Sequence, residues 1–276
     1  MSGTTWKSAL VALAAAVVVT GVAGCADSGA AKPGGSPSAS PGSRDREQAA
    51  KAVRAAYEKT AAAKSAKVRM RVVVSGGRAA GSSTFTGVRK WGPSVADLKV
   101  TDSTYLAAVP GAPAETRVVA AGGAAYTDVG AGRTSLTGGR RWLKVDLEGP
   151  GAGGGIVPQL TAGLSGVNQD PAEELGLLAK SSTLRPLGTA QGSGARAYGG
   201  DLPGGRHLEV WIGPDGYPQR TVLTTDTDGS LTRLTTTSTD YGTEADVRTP
   251  PAGDTIGFAE LLQKFTKGRG GEAGRG

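Results

Sequence analysis

The chain has 276 residues and a net charge of +7, with 45 glycines but only 3 Phe, 4 Trp and 6 Tyr. That length suits one domain with a real core, and the glycine content argues against a helical bundle and for strands joined by many turns. The charge is spread thinly, with no dense Lys/Arg block interleaved with aromatics. It speaks against nucleic acid as a partner and is compatible with anionic lipid headgroups or simply with solvent.

Lys7 is the only charge before an apolar stretch at 9–19. The stretch has the length of a secretory signal and falls short of the about 20 residues of a membrane span. The only cysteine, Cys25, follows Val22-Ala23-Gly24, and a lone thiol cannot form an internal disulfide. Val22-Ala23-Gly24-Cys25 resembles the lipobox of bacterial lipoproteins. The resemblance implies that residues 1–24 are a removed signal and that Cys25 becomes an acylated N-terminus, the chain's attachment to the membrane. An uncleaved single-span anchor and an ordinary secretory signal with a free Cys25 are the competing readings.

Residues 26–43 are mostly Gly, Ser, Pro and Ala, the composition of a flexible tether of about 25 Å root-mean-square length. The folded domain is expected over 44–266. Good helix formers predict a helix over 44–66, with Asp45 and Gln48 as a capping box and Val53 and Tyr57 on one face. At Lys67 the period switches to two. Val68, Met70, Val72 and Val74 fall on one face, and Lys67, Arg69 and Arg71 on the other. Further strands are predicted at 82–91, 95–102, 116–121, 124–129 and 141–146, with Gly122-Gly123 as a hairpin turn.

A low-complexity loop at 149–155 precedes Asp170-Pro171, an N-cap and first-turn pair opening a helix over 172–181. Glu173 and Glu174 then read as a first turn favoured by the helix dipole. Strands follow at 183–190, 195–202, 206–212, 218–226 and 230–241, with Gly213-Pro214-Asp215-Gly216 as a turn. A closing helix is predicted over 256–265, and a disordered tail over 267–276. Helix, strands, helix, strands, helix with hairpin connections defines an α+β class: one antiparallel sheet with helices on one side.

Residues that carry chemistry are sparse. His207 is the only histidine, which rules out His-rich metal sites and reads as a surface residue. No G-x-S-x-G elbow and no P-loop occur, and an acylated Cys25 is no nucleophile. The expectation is a protein that is not an enzyme and uses no metal or other cofactor. Trp91, Trp142 and Trp211 either line a ligand site or simply cover the sheet.

Several segments, in order, resemble actinobacterial lipoproteins of the LppX/LprG type, which have a LolA-like fold. They are Asp170-Pro171, Tyr198, Leu208-Glu209-Val210-Trp211-Ile212, Gly216-Tyr217-Pro218-Gln219-Arg220, Tyr241-Gly242, Asp246-Val247 and Pro250-Pro251. Residues 59–74 and 141–146 are similar to that family's first half. The resemblance implies a strongly curved antiparallel sheet, a half-barrel with helices packed on its concave side and an apolar cavity between them. It also implies a lipid, glycolipid or lipopeptide as the ligand. Val68, Met70, Val72, Val74 and Phe85 are then the cavity-lining candidates, although alternation alone fits a solidly packed face equally well. The later strands are rich in threonine, which predicts a smaller or more polar cavity.

The expected protein is a lipoprotein on the outer face of the cytoplasmic membrane that binds or carries an amphiphile. The alternative is a sensor or interaction lipoprotein that regulates a protein partner in the envelope.

Overall fold

In the computed structural model, which describes residues 41–76, 80–108, 112–147, 169–227 and 229–272, twelve strands form one sheet. Cys25 with its signal, tether residues 26–40, the loop at 149–155 and residues 273–276 lie outside the described residues. Everything described belongs to one unit, Ala39–Gly276.

Helix α1 (Pro41–Ala63) starts earlier than expected. A proline is well suited to a first turn, where its missing N–H has no helical partner to lose. Residues 41–43 are therefore helix and not tether, and Asp45 lies beyond the first turn and is no cap. The helix ends where Lys64 takes a φ of 59°.

The first meander follows: β1 (Ser65–Ser75), β2 (Gly81–Lys90), β3 (Val95–Thr101), a short helix α2 (Thr104–Ala107), β4 (Thr116–Ala121), β5 (Ala124–Asp128) and β6 (Trp142–Asp146). Gly122 and Gly123, at φ of 59° and 71°, make the tight turn between β4 and β5 that requires two positive angles.

Helix α3 (Pro171–Ala179) opens on Asp170, whose Oδ1 accepts from the Ala172 N–H at 2.8 Å. The second meander then runs through β7 (Arg185–Thr189), β8 (Arg196–Leu202), β9 (Arg206–Ile212), β10 (Pro218–Thr227) and β11 (Ser230–Thr239). β12 (Thr255–Gly257) and helix α4 (Phe258–Glu272) close the described chain. The closing helix thus begins after a short strand that the sequence reading missed, and it continues to Glu272 through most of the expected tail.

The strand order is β12-β6-β5-β4-β3-β2-β1-β11-β10-β9-β8-β7. The two meanders join where β1 pairs with β11. Every pairing is antiparallel except that of β12 with β6. The fold is α+β, one large and mostly antiparallel sheet with packed helices. Both edge strands are short, and β7 carries Pro186 and a register shift, which blunts it as a template for further strands.

Register puts the apolar residues on one inner face. A single transverse row reads Val100, Phe85, Met70, Thr236, Thr221, Val210 and Tyr198 across β3, β2, β1, β11, β10, β9 and β8. Two clusters bury this face. One joins Val68, Met70, Val72, Val74 and Phe85 to Leu98, Val100 and Val118. The other lies under α1 and α3 and joins Ala49, Val53, Leu175 and Leu178 to Leu208, Val210 and Leu223. Leu234 packs against both. α3 comes close to the sheet because Gly200 lies beneath it. A Cβ there would meet Leu178 Cδ1 and the Leu184 backbone at 3.1 Å.

Candidate functional site

Where the clusters meet, the inner face holds an arginine. Arg89 lies on β2, four residues from Phe85 and so on the same face. Its transverse row is Ala125, Ala120, Ala96, Arg89 and Ala66. The two flanking alanines, Ala96 and Ala66, leave room for one long side chain. Arg89 is only 5% exposed, and its Nε and Nη2 have no hydrogen-bond partner among the described residues.

The guanidinium lines a cavity of about 30 Å³ beneath α3. Val68, Trp91, Leu208, Pro218, Thr221, Leu223, Leu234, Thr236, Ser238 and Tyr241 line it from the sheet and loops, and Pro171, Glu174 and Leu175 from α3. The Trp91 indole N–H donates to the Thr60 carbonyl at 2.9 Å, which ties the cavity wall to α1. The Tyr241 hydroxyl donates to the Pro218 carbonyl at 2.7 Å, and its ring stacks on Tyr217 at 4.4 Å.

Glu174 is the acid facing Arg89. Its Oε1 has no hydrogen-bond partner among the described residues, and it stands 3.7 Å from Nη1 of Arg206. Burial drives the electrostatics here. It lowers the pKa of Arg89 to about 10, against the pull of Glu174, Asp170 and Tyr241. It raises the Glu174 carboxyl above its ordinary value, against the pull of Arg89 and Arg206. Each shift favours the uncharged form of its group. Burial outweighs mutual attraction at both ends because no hydrogen bond joins the free edge of Arg89 to Oε1 of Glu174. Burial likewise pushes the Tyr241 phenol to about 12.

The five cavity candidates from the sequence are all buried in one cluster. Val68 alone among them lines this cavity; Met70, Val72, Val74 and Phe85 pack beside it. Four of the residues that carried the family resemblance, Pro171, Leu208, Pro218 and Tyr241, line the wall. The cavity is small and carries Thr221, Thr236 and Ser238, as the threonine-rich strands predict.

Of the three tryptophans, only Trp91 reaches the cavity. Trp142 lies on the outer face under Arg117 and Arg141, and Trp211 under Arg220. His207 is a half-exposed residue paired with Asp201 at 2.7 Å. Among the described residues, no cluster of His, Cys, Asp or Glu has the makings of a metal site, and no helix is long and apolar enough to cross a membrane.

No family model matches the chain. Over 147 residues it is 31% identical to a protein of Streptomyces coelicolor named as a lipoprotein, which covers 50% of this chain and 49% of that protein. The chain therefore spans about half the length of the curated relative it matches. Among solved structures, lipoprotein LppX of Mycobacterium tuberculosis aligns over 73% of this chain and 98% of its own, at 15% identity and a TM-score of 0.43. LprF of Mycobacterium bovis aligns over 74% and 98%, at 16% identity and a TM-score of 0.39.

Proposed function

We propose that this chain is a cell-envelope lipoprotein that binds an amphiphile between its sheet and its α1–α3 layer. Acylated Cys25 would hold it on the outer face of the cytoplasmic membrane. The observation that carries the reading is a buried guanidinium edge with no hydrogen-bond partner among the described residues, set at the seam of the two apolar clusters of the inner face. A buried polar group left unpaired costs free energy, and in a native protein it calls for an explanation. A ligand with a polar head and an apolar body supplies one: the head meets Arg89, and the body replaces apolar contacts between sheet and helices at about 25 cal/mol per Å² of buried surface. The lipobox and the name of the Streptomyces relative support the anchored location. No covalent chemistry is involved in this reading.

The size of the cavity favours a second reading. At about 30 Å³ the cavity is far too small for an acyl chain, so a bound chain requires α3 to move off the sheet. A protein that never makes that movement is a sensor or interaction module acting on an envelope partner. The test is to purify the full chain from its native membranes and extract it with organic solvent, then identify non-covalent lipid by mass spectrometry. A stoichiometric amphiphile beyond the Cys25 acyl groups supports the binding reading. None, together with no uptake of a fluorescent lipid, leaves the interaction module.

A further inference from the structure

The ligand's head group can be narrowed by the shape, size and charge of the place that would receive it. An arginine offers a planar fork along its Nε/Nη2 edge, matched to the two oxygens of a carboxylate. This protein uses that fork on its outer face, where Arg117 Nε and Nη2 donate to Asp97 Oδ1 and Oδ2 at 2.8 and 2.6 Å. In Arg89 the same two atoms are buried and have no hydrogen-bond partner among the described residues, and the side chain lines the cavity.

We infer that the Nε/Nη2 edge of Arg89 is the seat for a carboxylate, and that the amphiphile is a long-chain carboxylic acid bound head-inward beneath α3. The inference rests on the amphiphile-binding reading. It follows from three further observations.

The first is size. The cavity as it stands, about 30 Å³, has room for a small head group only, and seating a carboxylate displaces less of the α3 packing than seating a phosphodiester or glycosyl group.

The second is charge. Two cations, Arg89 and Arg206, flank one buried acid, Glu174. Oε1 of Glu174 already lies 3.7 Å from Arg206, so Glu174 has a second partner to turn to. With Glu174 on Arg206 and the ligand on Arg89, each cation faces one anion and neither buried charge is left alone.

The third is the wall. Leu175, Leu208, Leu223 and Leu234 surround the guanidinium with apolar surface for the first methylenes of the chain. An ester or alcohol of the same length would bring the same methylenes but no charge for the fork.

The test uses the full lipidated chain in isolated membranes and two photoreactive probes, a sixteen-carbon diazirine fatty acid and its methyl ester. Cross-linked peptides are mapped by mass spectrometry. The acid is expected to label peptides containing Leu175 and Leu208 at least tenfold more than the ester, and Arg89→Met to lower acid labelling to the ester's level. Equal labelling by the two probes overturns the carboxylate assignment and leaves amphiphile binding standing. Labelling of these peptides by neither probe overturns both. Glu174→Gln removes the competing acid and is expected to raise acid labelling in protein that retains its fold by near-ultraviolet circular dichroism. Labelling that stays level or falls in that folded variant overturns the exchange between Arg89 and Arg206.

Discussion

On the outer face of the sheet, Arg117 lies over Trp142 and closes its fork on Asp97, while Arg141 reaches Asp128 at 2.7 Å. On the inner face, Arg89 buries the same fork beneath α3, where it has no hydrogen-bond partner among the described residues. Outer-face arginines sit in water, where an ion pair contributes little and its loss costs little. The inner-face arginine has given up hydration without a hydrogen bond at that edge in return. The difference teaches that Arg89 is poorly explained by stability. Four alanines in its row show that the sheet accommodates its side chain, and residues that break a local rule at a cost in stability concentrate at functional sites.

The comparison is broken most severely by emptying the inner face. Met70→Ala should cost about 2–5 kcal/mol, read as a lower urea midpoint, because Met70 is fully buried between Phe85 and Thr236. Arg71→Ala, one residue away on the exposed face, should stay within about 0.5 kcal/mol. If the two cost the same, the assignment of faces is wrong.

Next comes the arginine pair itself. Replacing both buried charges, Arg89→Met together with Glu174→Gln, should leave stability unchanged or raise it by up to about 4 kcal/mol, since groups held at a cost give way to uncharged ones of similar length. Arg117→Met should lower stability by less than about 1 kcal/mol. A loss above about 3 kcal/mol for that double variant, measured by the same denaturant titration, would make Arg89 a structural residue.

The smallest effects lie in pH dependence, where the two faces should differ in sign. The Glu174 carboxyl is raised by burial, so the folded chain holds its proton more tightly than the unfolded one. The cost of ionising it is present at neutral pH and is relieved as pH falls from the folded value towards 4.5. Relative to Glu174→Gln, the wild-type chain should gain stability across that window. Burial also acts on Asp128, but hydrogen bonds from Arg141 and the Gly130 N–H and the charges of Arg141 and Arg117 outweigh it and leave its pKa below 3.8. Its contribution is present above 3.8 and is lost as pH falls through the folded value. Relative to Asp128→Asn, the wild-type chain should lose stability there. Urea midpoints across the acid range check both signs.

Most strands were legible in the sequence because alternation and glycine turns are local signals. β1 is the clearest case, with Val68, Met70, Val72 and Val74 inside as their spacing requires. β12 was not legible: three residues carry too little pattern, and its partner in the pairing of Ile256 with Leu143 lies about half the domain away in sequence. The start of α1 was misjudged because Pro, Gly and Ser are common to tethers and to first helical turns.

The cavity was half legible. Phe85 marked the inner face of β2, and the same period of two puts Arg89 on it, but a charged residue reads by default as solvated. Glu174 does sit in the first turn of α3, as the dipole argument requires. Its burial against Arg89 comes from how α3 lies on the sheet, which no local signal reports. The stacking of Tyr217 on Tyr241 arises in the same way, from two turns distant in sequence.

The account turns on Arg89 serving a ligand and not the fold, and one measurement addresses that directly: denaturation of the full chain and of Arg89→Met in dilute nonionic detergent, each with and without a long-chain fatty acid. A ligand that binds only the folded state adds about 2.7 kcal/mol at one hundred times its dissociation constant. The wild-type chain is predicted to gain stability on adding the acid, whereas Arg89→Met gains none. A wild-type chain that the acid does not stabilise, or an Arg89→Met chain that gains as much as the wild type, would contradict the account.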